Sequence, residues 1–432
     1  MADPIVVPRA SHAISRRDID PDALKVLYRL RDAGFFAYLV GGSVRDLLLG
    51  RHPKDFDVGT NAHPQEIKRL FRNCWIIGRR FRLAHVRFGT KVIEVATFRR
   101  QVEAAEPSDN LPPDGGSHVP SVPHPSGPQP SGRPHDQYLH HNTFGTPEED
   151  AFRRDFTINA LFYDIATFSV IDYVGGLRDL DEQVIRAIGD PDERFQEDPV
   201  RMIRAIHFAA RLGFDLDPPI VDAITRQRFE IGRSSPARML EEYFKILRAG
   251  SAELTFRMMH EHRLLERITP ELAGGASDAL WSSLAALDAY RRRAGSPAAI
   301  TNPILLGTLM RPAGLVKESH FGEAEEPRGA LGLLPIPRRD LERIRQVLAL
   351  QRRLADIDRP PRVKRGLLFR PAFADALLWL EMHGAAPEIH EHWQHLLKTH
   401  QAPGETAHET PPHARPRRRR RRRRRPAPQG IS

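Results

Sequence analysis

The chain has 432 residues, of which 40% are hydrophobic and 28% charged, and this composition excludes a fibrous or wholly disordered protein. No apolar segment approaches the roughly 20 residues of a membrane span and no export signal begins the chain, so we expect a cytoplasmic protein without a membrane partner. The single cysteine, Cys74, excludes an intrachain disulfide. The net charge is +10, and most of it lies after residue 400, where ten arginines outnumber two acids.

The first part of the chain predicts a small mixed sheet with helices packed on it. Residues 1–20 show no sustained periodicity and are expected to form a flexible arm. Apolar spacing then predicts short helices at 21–34, 44–49 and 64–71. Alternating or continuous apolar segments predict strands at 35–40, 55–58, 75–77, 83–88 and 92–98.

A proline-rich segment interrupts this pattern. Nine prolines and four glycines occur between Pro107 and Pro134, so a disordered insertion is expected over 102–141. TPEE at Thr146 has an N-cap, a proline at the first helical position and a glutamate three residues past the cap, which predicts a helix running to about Phe162. A strand is expected at 169–173, and helices dominate from Asp198 onward.

The first candidate functional motif is GGSVRD, which follows the strand at 35–40. The glycines Gly41 and Gly42 let a ligand approach the backbone, and the helix start that follows suits a phosphate. Arg45 adds a guanidinium nearby. A plain strand-to-helix turn with a surface arginine is the alternative.

A set of acids makes the phosphate interpretation stronger. Asp55 and Asp57 in KDFD lie two apart on a predicted strand and therefore project from one face. Glu94 lies inside the apolar strand VIEVATF, where an acid is costly unless a cation compensates it. An oxygen-only ligand set favours Mg²⁺ or Mn²⁺ over zinc. Exposed turn aspartates and an edge glutamate are the alternative.

Two helical segments carry further polar patterns. Asp155 and Asn159 in RRDFTINAL are four apart, share a helix face and could hold a sugar hydroxyl. In EDPVRMIRAIHFAARLGF, one charged stripe fits a planar base and a triphosphate, although such stripes are usually solvated. Its members are Glu197, Arg201, Arg204 and Arg211.

Arginines also point to RNA. Arg79, Arg80 and Arg82 surround Phe81, a combination that suits single-stranded nucleic acid but also a basic strand edge. The terminal run, which includes Arg417, Arg420 and Arg425, would bind polyanions in a salt-dependent way.

GGSVRD, KDFD, RRDFTINAL and EDPVR in this order resemble the bacterial branch of the nucleotidyltransferases that includes tRNA CCA-adding enzymes and bacterial poly(A) polymerases. Within the branch, IIGRRFRLAHV is similar to a segment that marks poly(A) polymerases, and the arginine-rich tail is also typical of them. The resemblance therefore favours addition of AMP from ATP to RNA 3′ ends over CCA addition to tRNA.

The resemblance implies an α+β fold with a polymerase-beta-like nucleotidyltransferase head, followed by an all-helical neck, body and tail region. The implied divisions are an arm at 1–20, the catalytic head at 21–190, a neck at 191–260 that binds the base and RNA, an RNA-binding body at 261–400 and a disordered tail at 401–432.

The resemblance also implies roles for individual residues. Asp55, Asp57 and Glu94 would bind two Mg²⁺ ions, for which Mn²⁺ could substitute, and Asp155 would lie in the active site. The residues implied to contact the nucleotide are Gly41, Gly42, Arg45, Asp46, Arg154, Asn159, Glu197, Asp198, Arg201 and Arg204. The RNA-degradation machinery is a candidate partner.

Two other functions stay open. CCA addition is the rival within enzymes, and it would incorporate CTP before ATP on tRNA lacking its end. A non-catalytic RNA-binding protein built on a transferase scaffold is the rival from another class.

Overall fold

The computed structural model describes residues 3–78, 82–100, 144–293, 300–316, 330–384 and 387–401. The predicted insertion at 102–141 and nearly all of the predicted tail at 401–432 lie outside these residues. Within the described ranges, no helix is both long and apolar enough to cross a bilayer.

The head is built on a mixed sheet whose eight described strands run in the order β1-β8-β7-β2-β3-β6-β5-β4. Neighbours are antiparallel except β3 and β6, which are parallel. The strands are β1 (Ile5–Val7), β2 (Tyr38–Val40), β3 (Asp57–Thr60), β4 (Cys74–Ile77), β5 (Leu83–Phe88), β6 (Lys91–Thr97), β7 (Leu161–Asp164) and β8 (Val170–Asp172).

Short helices cover the sheet and connect its strands. Asp20 caps the first of them through its side chain, which accepts hydrogen bonds from the backbone N–H groups of Asp22 and Ala23. The helices of the head are α1 (Pro21–Asp32), α2 (Gly42–Leu48), α3 (Pro64–Leu70), α4 (Pro147–Phe152) and α5 (Gly176–Asp181).

Three expectations for the head were wrong. Asp55 does not share a strand with Asp57, because β3 begins only at Asp57 and Asp55 lies in the segment before it. Residues 1–20 are not a loose arm throughout, because Ile5–Val7 pairs antiparallel with β8 and completes one edge of the sheet. The helix that begins at Thr146 ends at Phe152, not at Phe162, because Phe156 is extended and the chain turns through a 3₁₀ segment at Thr157–Asn159 into β7.

Beyond the head the described residues are mainly helical, as expected. The helices are α6 (Pro191–Glu197), α7 (Val200–Leu212), α8 (Pro218–Gln227), α9 (Pro236–Ala249), α10 (Ala252–Glu261), α11 (Leu265–Ile268), α12 (Pro270–Gly274), α13 (Asp278–Arg293), α14 (Asn302–Met310), α15 (Arg338–Ala355), α16 (Pro361–Leu368), α17 (Phe373–His383) and α18 (Pro387–Gln401). Two-residue strands add the pairs β9 (Val184–Ile185) with β10 (Asp215–Leu216) and β11 (Ala330–Leu331) with β12 (Leu334–Pro335).

One hydrophobic core runs from the head through the helical region, and a smaller one lies on the other face of the sheet. Leu39, Val58 and Tyr163 belong to the first core, and Val40 and Phe162 to the second. Because side chains alternate along a strand, Asp57, which pairs with Val40, points to the second face. The sheet therefore separates the face of Asp57 from the face covered by α1 and α2.

Candidate active site

A cleft of about 760 Å³ lies where the head meets α7 and α9. It brings together ten residues that sequence analysis predicted for a nucleotide site: Gly41, Gly42, Arg45, Asp57, Arg154, Asp155, Asn159, Asp198, Arg201 and Arg204. Their roles remain predictions, whereas their proximity is a property of the fold.

The glycine turn at the end of β2 is required by its surroundings. Gly41 has a φ of +71°, and a Cβ at this position would lie 2.9 Å from a guanidinium nitrogen of Arg154. The turn therefore allows the backbone and Arg154 to approach each other along the cleft wall.

Arg45 is buried behind this turn and firmly held. Its guanidinium donates to Asp46 Oδ1 at 2.8 and 2.7 Å and to Asn159 Oδ1 at 2.5 Å. Burial lowers the pKa of Arg45, while the charge of Asp46 opposes this shift. Asp46 also accepts a hydrogen bond from Arg211 at 3.1 Å, so its contacts make it an anchor for two arginines.

Asp57 and Glu94 lie side by side on the parallel strands β3 and β6. Val58 pairs with Val95, and the two acids each precede these residues by one position. The Asp57 side chain is exposed to the cleft, but the surrounding protein atoms partly exclude water from it. This desolvation, together with the charges of Glu94 and Asp55, raises the pKa of Asp57 to about 6, against the opposing charge of Arg154. Glu94 and Asp55 are therefore both close enough to Asp57 to disfavour its ionised form.

The donor chemistry fits a hard divalent cation. At about 5 Å, two carboxylates repel by about 3 kcal/mol at an effective dielectric of about 20, and by less where water screens the half-exposed Glu94. A cation with a preference for oxygen ligands would relieve this repulsion. Within the described ranges, no group of three or more His, Cys, Asp or Glu side chains is arranged so that it could hold a metal ion, so the fit rests on the chemistry of the oxygen donors.

Asp155 joins the head to the neck. Its Oδ2 accepts hydrogen bonds from Arg204 Nε and Nη2 at 2.8 and 2.5 Å, and its Oδ1 accepts one from Asn159 at 3.3 Å. Burial alone would raise the pKa of Asp155, but the charge and hydrogen bonds of Arg204 outweigh it and hold this pKa below its usual value. The Asp155–Asn159 contact was expected from helical spacing, but a turn brings it about.

Ion pairs also hold the charged residues at the end of α6 and on α7, which form the predicted stripe of the neck. Arg201 donates to Glu197 at 2.6 Å, and Glu197 also accepts from Arg194 at 2.7 Å. Asp198, between α6 and α7, accepts two hydrogen bonds from Arg238 of α9 at 3.2 and 2.7 Å. The guanidinium and carboxylate groups that could select a base are therefore held in fixed orientations.

Several residues of the cleft carry no signal in the sequence that points to the site. The Phe208 ring lies 5.4 Å from the Arg45 guanidinium and 5.3 Å from that of Arg204. Glu242 on α9 accepts a hydrogen bond from Lys245 at 2.8 Å and lies 3.7 Å from Arg204. The apolar spacing of α7 and α9 was visible in the sequence, but the side of each helix that meets the head was not.

The predicted RNA contacts are mostly outside the described residues. Arg82 is exposed just before β5, whereas Arg79 and Arg80 are not described. Arg417, Arg420 and Arg425 also lie outside the described part of the chain. The binding of RNA by these six arginines stays a prediction.

Family models match three segments of the chain. A poly A polymerase head domain matches residues 37–186, a probable RNA and SrmB-binding site of polymerase A matches 213–274, and a polymerase A arginine-rich C-terminus matches 330–426. Together these segments span more than two thirds of the chain and include the glycine turn, the carboxylates and most of the neck.

Individual proteins agree with these matches. The chain is 50% identical to poly(A) polymerase I of Salmonella typhimurium over 267 residues, which cover 62% of this chain and 54% of that protein. It is 37% identical to the CCA-adding enzyme of Lactobacillus helveticus over 60% of this chain and 57% of that protein. The chain thus spans only about half the length of these curated relatives.

A solved structure gives the same fold. The Bacillus stearothermophilus CCA-adding enzyme in complex with CTP aligns with a TM-score of 0.59 and 26% identity, over 88% of this chain and 83% of that one. The mixed-sheet head, its carboxylates and the arginine-lined neck define a nucleotidyltransferase scaffold. The chain belongs to the bacterial poly(A) polymerase I group of the tRNA nucleotidyltransferase and poly(A) polymerase family.

Proposed function

We propose that this chain is a template-independent polynucleotide adenylyltransferase that adds AMP from ATP to RNA 3′ ends. The observation that carries the proposal is the convergence of Asp57, Arg154, Asp155, Arg201 and Arg204 on one cleft. The identity of 50% to a poly(A) polymerase I, against 37% to a CCA-adding enzyme, favours adenylate tracts over CCA addition.

Asp55, Asp57 and Glu94 would hold two divalent cations, Mg²⁺ or in its place Mn²⁺. When bound, such ions lower the pKa of an attacking hydroxyl and stabilise a leaving pyrophosphate in an in-line displacement. The three carboxylates would be ionised to do this. The raised pKa of Asp57 supports this role, because the charged form that is unfavourable alone becomes favourable beside a cation.

The arginines of the cleft would orient the nucleotide. Arg154 is partly buried, donates to Asp150 at 3.1 and 2.9 Å and to the Asn159 carbonyl at 3.1 Å, and so presents its charge beside Gly41 in a fixed position. The backbone of Gly41 and Gly42 would admit the phosphates next to it. Arg45 and Asp46, which the resemblance implies as nucleotide contacts, are buried behind the turn and would act instead by supporting it. Asp155 and Asn159 would orient the sugar.

Base selection would fall to the neck. Asp198 and Arg201 offer an acceptor and a donor to a base edge, and Glu197 and Arg238 fix their orientations. Such paired hydrogen-bonding groups discriminate well, because a wrong base leaves a polar group unpaired. This pair would replace a nucleic-acid template.

The RNA would enter from the body and the arginine-rich tail, with Arg79, Arg80 and Arg82 as further contacts. Poly(A) addition by this chain would mark RNAs for processing and decay. These assignments, and a link to the RNA-degradation machinery, are part of the proposal.

CCA addition is the second candidate, and the alignment with a CTP-bound CCA-adding enzyme favours it. The purified chain, incubated with Mg²⁺, a generic RNA primer and each nucleoside triphosphate separately, distinguishes the two. Long tracts from ATP alone support adenylyl transfer. CTP incorporation limited to tRNA that lacks its end supports CCA addition, and no metal-dependent turnover supports a non-catalytic RNA-binding protein.

A further inference from the structure

A second polar cavity lies on the face of the sheet opposite to Asp57. It has a volume of about 530 Å³ and is bounded by the segment after β1, by α1 and by the turn between β7 and β8. Tyr163 of β7 lines it, and Tyr163 pairs with Leu39, which belongs to the core under α1. The catalytic carboxylates therefore cannot reach this cavity.

Three arginines give the cavity a positive charge. Arg9, Arg16 and Arg17 are exposed and line it, and within the described residues none of them has a carboxylate oxygen within 4 Å. Arg9 donates to the His12 carbonyl at 3.1 Å, and Arg16 donates to the Tyr28 hydroxyl at 3.1 Å. These contacts orient the guanidinium groups without neutralising them.

Tyr163 supplies a buried polar group without a partner. Its side chain is fully buried, and its hydroxyl makes no hydrogen bond in the described part of the chain. Burial raises the pKa of Tyr163 against the opposing charges of Arg9 and Arg16, so the hydroxyl stays protonated and can donate. Buried hydroxyls normally have a partner, and this one lies beside two cations where an anion would provide it.

The wall of the cavity also carries an aromatic surface. The Arg16 guanidinium lies 5.0 Å from the centre of the Phe168 ring, and the Phe168 carbonyl accepts a hydrogen bond from His12 at 2.9 Å. Phe168 has a φ of +57°, a backbone conformation that is uncommon for a bulky residue. Arginine stacked on an aromatic ring beside phosphate-binding groups is an arrangement that suits nucleotides.

We propose that this cavity binds a phosphate group of a nucleotide, with Arg9, Arg16 and Arg17 balancing its charge and the Tyr163 hydroxyl donating to it. Its volume falls within the range of about 300–1,000 Å³ that is common for small-ligand sites. The phosphate could belong to an RNA strand held away from its 3′ end or to a free nucleotide. The site goes beyond the proposed AMP transfer and does not require it.

Two variants test the site in the full chain. Tyr163→Phe removes only the hydroxyl, and Arg9→Ala with Arg17→Ala removes two charges while keeping Arg16 on Phe168. The control is Arg29→Ala with Arg178→Ala, which removes two exposed charges of the head that do not line the cavity. Thermal unfolding verifies that each variant is folded.

The readout is photo-cross-linking, with the labelled peptides identified by mass spectrometry. One arm uses a 3′-blocked oligoadenylate carrying 4-thiouridine, and the other uses 8-azido-ATP, each with inorganic phosphate as competitor. We expect one probe to label residues 9–28 of the wild type, and labelling to fall about threefold or more in both variants but not in the control. If the oligoadenylate is the ligand, the double arginine variant also lowers the salt slope of its binding by about 1.4.

Labelling by the oligoadenylate identifies RNA as the source of the phosphate, and labelling by azido-ATP identifies a free nucleotide. The proposal is overturned if neither probe labels the segment, or if the variants label as strongly as the wild type. ATP incorporation on a short primer is measured in parallel and should be unchanged in the variants. If the wild type itself incorporates no ATP, the proposed function is contradicted, whereas the labelling of the cavity by the probes still stands.

Discussion

Arg204 of the neck places both Nε and Nη2 on one carboxylate oxygen of Asp155 in the head, at 2.8 and 2.5 Å. The pair closes the junction at which the candidate active site lies. Asp155 is largely buried, so its charge depends on this partner. The position of the neck and the ionisation of the site are therefore coupled through two side chains.

Arg204→Ala should lower the free energy of unfolding by about 2–4 kcal/mol, because it leaves a buried carboxylate without its cation. Urea unfolding at neutral pH measures the loss. Arg233→Ala is the control, since it breaks an exposed pair with Glu230 within one 3₁₀ segment and should cost less than about 1 kcal/mol. Equal effects of the two changes would show that the Arg204–Asp155 pair does not hold the junction.

The raised pKa of Asp57 gives stability a defined pH dependence. A folded-state pKa of about 6, above the ordinary value of 3.8 for an aspartate, means that the folded chain binds this proton more tightly than the unfolded chain does. The charged carboxylate therefore destabilises the fold above about pH 6, and this penalty disappears as the pH falls toward 4. With a chelator present, Asp57→Asn should raise the melting temperature at pH 7.5 and leave it unchanged at pH 4.

Added Mg²⁺ supplies the complementary test. It should raise the melting temperature of the wild type at pH 7.5 and have less effect on Asp57→Asn. A variant that gains nothing at pH 7.5, or that responds to Mg²⁺ as the wild type does, would contradict the interpretation of Asp57 as a cation ligand.

Arg201→Ala should relax the choice of nucleotide more than it slows the use of the correct one. Arg201 is held by Glu197 and by the Arg194 carbonyl, so the wild-type guanidinium has a fixed direction. The ratio of kcat/KM for ATP to that for CTP should fall by about tenfold or more. A uniform loss with both nucleotides would instead identify Arg201 as a phosphate or structural contact.

Substitution of Gly59, on the strand that carries Asp57, measures how tightly the side chains pack against the sheet below the carboxylates. A Cβ there would lie 2.6 Å from the Phe98 ring and 2.8 Å from Val40, so Gly59→Ala should destabilise the chain by about 1–3 kcal/mol. Gly366 has open space around it on exposed α16, and Gly366→Ala should stabilise by about 0.5–1 kcal/mol. Chemical denaturation of both variants provides the comparison. An unchanged free energy of unfolding in Gly59→Ala would mean that the sheet is not tightly packed at Phe98 and Val40.

Local patterns predicted much of the head. The strand at Leu83–Phe88 has the predicted bounds, and α1 begins at the predicted proline. Strand β1 could not be predicted, because three residues carry too little periodicity and their order comes from pairing with β8. The helix that stops at Phe152 shows tertiary contacts prevailing over local propensity, since Asp155 turns away to meet Arg204.

The candidate site was predictable where one motif held both partners, as with Asp155 and Asn159. It was not predictable where partners come from distant segments, as with Asp198 and Arg238 or Arg45 and Phe208. Sequence spacing fixes which residues share a face of one element. The packing of the neck on the head then decides which of those faces meet.

A primer-extension assay with Mg²⁺ and ATP, on the wild type and on Asp55→Ala with Asp57→Ala, tests most directly whether these carboxylates act in catalysis. Asp32→Ala, which removes an exposed carboxylate of α1, is the control. We expect long adenylate tracts from the wild type and the control, and no AMP incorporation by the double variant. Retained incorporation by a folded double variant would contradict the assignment of these carboxylates to catalysis.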